Sequence, residues 1–179
     1  MNFTDVIHFW FGEIDAKKWW ARDPALDALI RTRFETTHRA ASRGELFAWR
    51  STAPGRLAEI ILLDQFSRNM YRESPRAFAF DALALVLAQE AVSIGADYEL
   101  PIARRGFIYM PYMHSESALI HEQALILFSQ PGLEFNLDYE RRHKHIIDRF
   151  GRYPHRNAVL GRDSTPSEVE FLKLPDSAF

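Results

Sequence analysis

The sequence predicts an all-α fold, on three observations. Helix start signals recur at Thr4, Asp23-Pro24, Ser51-Thr52-Ala53-Pro54, Ser74-Pro75 and Thr165-Pro166. Apolar residues recur at helical spacing between them, and alternating β-branched runs with Asn-Gly or Asp-Gly hairpin turns do not occur. Thr4 is the expected cap of a short helix that carries Val6, Ile7, Phe9, Trp10 and Phe11 and stops at Gly12. Asp23 and Pro24 open a second helix with Leu26, Leu29, Ile30 and Phe34 on one stripe, ending at Gly44. A third runs from Pro54 to about Asn69, and because Leu57, Ile60, Ile61, Leu62, Leu63 and Phe66 surround it almost completely, it belongs in the middle of the fold.

Ser74-Pro75 starts a helix that ends at Gly95. Pro101 starts another, which Pro111 is expected to break, and Ser115 is the expected cap of the helix that follows, up to Pro131-Gly132. A helix over residues 135–150 stops at Gly151, and Thr165-Pro166-Ser167-Glu168 is a capping box for a last helix holding Phe171 and Leu172. No linker or charge block divides the chain, so one domain over residues 1–179 is expected, built of antiparallel helix pairs and closer to a short helical-repeat superhelix than to a four-helix bundle.

Composition narrows the function. With 22 basic and 24 acidic residues the net charge is −2, which argues against general binding to nucleic acid or an anionic membrane surface. There is no cysteine, which removes thiol chemistry and disulfides and fits a reducing compartment. The start lacks a basic and an apolar leader segment and no apolar run has the length of a membrane span, so a cytoplasmic location is expected. A phosphate-binding glycine loop and a Gly-x-Ser-x-Gly elbow are missing, and His121-Glu122 lacks the second histidine of a zincin. No motif names a cofactor.

Three polar clusters are the candidates for chemistry. Asp64 and Arg68 stand four apart, in line with Leu57, Ile60 and Ile61, so both point inward, as an ion pair that either fixes helix register or lines a pocket. His114, Ser115 and Glu116 bring an imidazole, a hydroxyl and a carboxylate to one helix start, where the serine and glutamate also suit simple capping. The third cluster, from Arg149 to Asn157 followed by Leu160-Gly161-Arg162, holds four arginines, His155 and Asn157 around a helix stop and a rigid turn. Arginine forks there suit a carboxylate or phosphate, or stack on aromatics and cap carbonyls. His143 reads as a core histidine on the stripe of Tyr139, Ile146 and Phe150. His114, Glu116 and His155 match no metal-ligand spacing, so no metal is expected.

Phe9-Trp10-Phe11-Gly12, Trp19-Trp20, Leu63-Asp64-Gln65-Phe66-Ser67-Arg68-Asn69, Met113-His114-Ser115-Glu116 and the segment from Arg149 to Arg162 together resemble the uncharacterised bacterial domain-of-unknown-function family 924. The resemblance spans nearly the whole chain and implies an all-helical, tetratricopeptide-like superhelical fold; it implies no activity. Tyr153 and Tyr112 stand where that family usually has phenylalanine. A signature concentrated on polar residues is that of a pocket, since many side chains satisfy packing but few satisfy a site.

The expectation is therefore a small-molecule site in which Arg68, Arg152 and Arg156 hold an anionic group, and Asp64 and Asn157 orient those arginines. His114 or His155, partnered by Glu116, would carry protons in a hydrolase-type or other proton-transfer reaction. The alternative is a non-catalytic helical-repeat module gripping a peptide or protein.

Overall fold

The computed structural model describes residues 1–175 and 177, and every regular element among them is helical. The α-helices are α1 (Phe3–His8), α2 (Pro24–Ser42), α3 (Ala53–Ile61), α4 (Ser67–Met70), α5 (Asp81–Ser93), α6 (Ile102–Met113), α7 (Ala118–Phe128), α8 (Glu134–Phe150) and α9 (Pro166–Phe171). Short 3-10 turns join several of them. The expected end of the domain at residue 179 lies outside the described residues.

Capping chemistry sets most boundaries. Asp23 accepts from the amides of Ala25 and Leu26, and Thr52 from that of Gly55, with a proline in the first turn in both cases. Thr165 and Glu168 form the reciprocal capping box of α9. Gly151 closes α8 in the left-handed region at φ 69°, a conformation that L side chains rarely adopt. At Gly55 the reason for glycine is space instead: an added Cβ would lie 2.0 Å from the Trp49 carbonyl oxygen, a backbone atom that cannot swing away.

Several boundaries differ from the sequence reading. Asn2, not Thr4, caps α1 through a box with Asp5, and the helix runs on past Gly12 as a π turn over residues 9–13. Ser74 does cap a helical turn, but that turn spans only Pro75–Ala77, and the helix proper begins at Asp81. Pro111 lies inside α6 without breaking it, three residues before the cap at His114, so its missing N–H affects only the last turn. Ser117 takes the cap position of α7, while the Ser115 hydroxyl accepts from the Ser117 amide one step earlier.

The central helix is the axis of the molecule. α3 and α4 form one continuous rod interrupted by a π turn at Leu62–Phe66, and Leu57 through Phe66 are all buried. Its surroundings supply the burial that an all-round apolar helix demands: α1, α5 and α6 pack on α3, and α2 packs on α4 and the π turn. Phe9, Phe34 and Phe66 form an aromatic triad with ring centroids 4.8, 5.0 and 6.0 Å apart, and Trp10 packs edge-on to Phe66 at 5.4 Å. Along the other flank α5, α6, α7 and α8 each pack on the next. A second, smaller apolar cluster of Ile146, Ile147 and Tyr153, with Phe150 and Phe171, joins the end of α8 to α9. No described helix is long and apolar enough to cross a membrane.

Candidate functional site

The π turn decides where the polar chemistry sits. Widening the helix by one residue leaves carbonyls without their usual amide partners. Two side chains fill that need: the Ser67 hydroxyl donates to the Leu63 carbonyl at 2.6 Å, and Arg68 Nη1 donates to the Asp64 carbonyl at 3.1 Å. Asp64 is fully buried, as the sequence predicts, and its carboxylate is saturated with partners. His114 Nδ1 lies 2.7 Å from Oδ1, Arg68 Nη1 3.0 Å from the same oxygen, and Gln65 Nε2 donates to Oδ2 at 2.6 Å. Burial alone would raise the Asp64 pKa, but Arg68 and then His114 outweigh it and hold the carboxyl well below the usual carboxylate range.

Arg68 continues the network outward. Both its terminal nitrogens donate to Asp81 at 2.9 Å, a bidentate pairing from the first turn of α5. Arg156, from the 3-10 turn Pro154–Arg156, reaches the same carboxylate at 3.3 Å and donates to the His114 carbonyl at 3.0 Å. Its guanidinium lies over the Phe78 ring at 4.6 Å and the Tyr153 ring at 4.5 Å. Asp64, Arg68, Asp81 and Arg156 thus alternate in sign around His114. Burial, and then the charge of Arg68, depress the His114 pKa, so the imidazole is neutral. Its Nδ1–H donates to Asp64, which leaves Nε2 as the basic atom, and that atom has no hydrogen-bond partner among the described residues. Two buried nitrogens of the turn that carries Arg156 also lack partners among the described residues: Arg156 Nε and His155 Nδ1. His155 is held down to about 4 by burial and then by Arg156.

The other predicted residues join different networks. Glu116 makes no hydrogen bond to His114 or His155 among the described residues: Arg162 takes both its oxygens, at 2.6 and 2.9 Å, and the Tyr153 amide donates to it at 2.7 Å. Asn157 holds Arg162 through its Oδ1 and donates to Ser164 Oγ, so it orients Arg162 rather than Arg68, Arg152 or Arg156. Arg152 pairs bidentately with Glu168 at 2.7 and 2.9 Å and caps the Asp163 carbonyl, tying the end of α8 to α9. Side-chain hydrogen bonding to Arg152 leads the causes that lower Glu168 to about 2. Arg149 stacks on Phe150 and Phe171. The physical reason is length: a guanidinium on a short rigid turn takes the nearest carboxylate, and Glu116 and Glu168 are near.

Sequence reasoning missed Asp81, which looks like any acid in a first helical turn, and the His121–Glu140 pair within α7 and α8. For Glu140 a signal existed, because Glu140, His143 and Ile147 follow helical spacing on the buried stripe of α8. Among the described residues no group of three His, Asp or Glu side chains is placed to hold a metal ion. A shallow apolar concavity of about 380 Å³, lined by Phe3, Ile7, Phe11, Gly12, Pro54 and Arg104 among others, lies at the α1 end and includes none of the predicted site residues.

Fold and site together define an all-helical protein with a buried Asp–His–Arg network hung on a π turn. The chain belongs to the family described as bacterial protein of unknown function, DUF924, whose model matches residues 6–176. It is similar to a solved structure, a protein of unknown function, ATU0120, from Agrobacterium tumefaciens, with 37% identity, 96% of each chain covered and a TM-score of 0.91. No functionally curated protein matches it.

Proposed function

We propose that the Asp64–His114–Arg68–Arg156 cluster is a small-molecule site, in which the two arginines hold a small anionic group and His114, oriented by Asp64, carries a proton in a hydrolase-type or other proton-transfer reaction. The observation that carries this reading is the Asp64–His114 contact of 2.7 Å, together with buried nitrogens of Arg156 and His155 that have no hydrogen-bond partner among the described residues. An unsatisfied buried donor costs about 1–3 kcal/mol, a penalty that a bound anion relieves. The 3.3 Å contact from Arg156 to Asp81 is the longest in the network, so a ligand carboxylate or phosphate competes with Asp81 for that guanidinium. Asp64 acts as an orienting group: it fixes the imidazole ring and the tautomer that leaves Nε2 basic. Arg152, Glu116 and Asn157 then have supporting roles, holding the turn that carries Arg156 rather than the ligand. The absence of cysteine supports a reducing, cytoplasmic setting, and the gathering of most buried apolar residues in one cluster supports a single domain.

A thermal-shift screen of small carboxylates, inorganic phosphate and nucleotides tests the reading. A ligand at a hundredfold its Kd stabilises by roughly 2.7 kcal/mol, which raises the melting temperature by several degrees. Arg156→Met is expected to abolish that shift; a shift of equal size in the variant overturns the assignment.

The second reading is a peptide- or protein-binding module, and one observation favours it: the concavity bordered by Phe3, Ile7 and Phe11 is open and apolar. The succession α5 to α8 supports a tetratricopeptide-like superhelix, the architecture such modules use.

A further inference from the structure

His121 and Glu140 are both wholly buried, with His121 Nδ1 2.7 Å from Glu140 Oε1. The other ring nitrogen, Nε2, faces the Ser115 carbonyl at 2.8 Å and the Tyr153 hydroxyl oxygen at 3.2 Å. A carbonyl only accepts. The Tyr153 hydroxyl spends its hydrogen on the Met113 carbonyl at 2.6 Å, so toward His121 it too presents lone pairs. Nε2 therefore carries a hydrogen. At 2.7 Å a bare Nδ1 lone pair facing an ionised carboxylate would be repelled, so a second hydrogen lies between Nδ1 and Oε1. Glu140 Oε2 has no hydrogen-bond partner among the described residues, and a carboxylate oxygen abandoned in an apolar interior is far more costly than the carbonyl oxygen of a neutral acid. Burial pushes the Glu140 carboxyl up, which agrees with a neutral acid. Of the remaining charged or titratable neighbours, Lys144, one turn on, is engaged with Asp148 and Glu122 and offsets only in part the burial that raises Glu140, and burial first of all holds His143 down at about 3.

We propose that Glu140 and His121 share one buried proton as a net-neutral pair, and that this pair positions Tyr153 as the shelf on which His155 and Arg156 rest. The Tyr153 ring lies 5.5 Å from the His155 ring and 4.5 Å from the Arg156 guanidinium. The hydroxyl that ties this ring to His121 and Met113 is the atom that a phenylalanine at this position would lack. Glu140, His121 and Tyr153 are positioning residues; only their relevance to anion binding rests on the function proposed above.

Nitrogen-detected NMR of the histidine side chains at pH 7 tests the pair without any ligand. The expected result is a protonated His121 Nε2 and a far-downfield, exchange-protected proton in the contact with Glu140, lost in Glu140→Gln. An unprotonated Nε2, or no such proton, overturns the proposal. Glu140→Gln offers an amide hydrogen to Nδ1 and keeps the same tautomer, so the His155 resonances should stay as in the unaltered protein. Glu140→Val frees the ring, and the His155 resonances should move; identical His155 spectra in the two variants refute the positioning role. If Glu140→Val does not fold, the comparison of the unaltered protein with Glu140→Gln still decides the pair. In the same samples the affinity for acetate and inorganic phosphate should fall about tenfold in Glu140→Val, the equivalent of one hydrogen bond's worth of order at Arg156. If neither anion binds the unaltered protein, the site reading fails while the NMR result still stands.

Discussion

Acidification from pH 7 to pH 4 is expected to remove most of the folding stability, beginning well above the usual carboxylate range. Besides His114, three more histidines are held neutral in the fold. Burial, then Arg76, takes His38 to about 4; burial, then Arg156, takes His155 to about 4; and burial foremost takes His143 to about 3. In the unfolded chain each returns to about 6.5. Between those values the unfolded state binds more protons than the folded one, so stability is complete above about pH 6.5 and falls as pH drops toward 4. Each unit of depression is worth about 1.4 kcal/mol, and a domain of this kind is stable by only about 5–15 kcal/mol, so three such groups are enough to unfold it near pH 4–5. Below that range the lowered carboxyls of Asp64, Glu116 and Glu168 act in the same direction, since their protonation costs the fold its ion pairs. Glu140 alone works the other way, because its raised carboxyl takes up a proton on folding. Urea titrations at pH 8, 7, 6 and 5 check this: the midpoint should be flat between pH 8 and 7 and fall steadily below. A midpoint constant from pH 7 to 5 contradicts the buried neutral histidines.

Replacing Asp64 by alanine is expected to destabilise the protein by about 3 kcal/mol. The change strips the acceptor from Gln65 and His114 and leaves the arginine pair with one carboxylate, Asp81, in place of two. Asp81 still holds Arg68 bidentately, so that guanidinium is not abandoned, and the loss stays at the lower end of what removal of one buried partner brings. Asp64→Asn keeps an acceptor oxygen for one neighbour and should lose less. Equilibrium unfolding in urea measures both, and a loss below about 1 kcal/mol for Asp64→Ala would place the carboxylate in solvent.

How legible was all this in the sequence? The helices were, because proline, glycine and cap residues punctuate the chain and their signals are local: Asp23, Thr52, Thr165 and Gly151 all stand where the reading put them. The burial of Asp64 was legible from its register with Leu57, Ile60 and Ile61, and so was its pairing with Arg68. The π turn was not, since nothing in Leu62-Leu63-Asp64-Gln65-Phe66 distinguishes a five-residue hydrogen-bond pattern from a four-residue one. Partners across long separations were also out of reach. Fifty residues separate Asp64 from His114, and seventy-five separate Asp81 from Arg156. Spacing along one helix does not encode such contacts, and the hydrogen-bond partner of Glu116, Arg162, lies forty-six residues on.

If the arginines and His114 form a binding site, the Arg156 Nε–H signal in NMR reports it. This buried hydrogen has no acceptor among the described residues. Titration with a small carboxylate should move the Arg156 Nε–H resonance downfield in a saturable way and shift His114 with it. Shifts confined to Phe3, Ile7 and Phe11, with Arg156 and His114 unmoved, would contradict the site and place recognition at the apolar concavity instead.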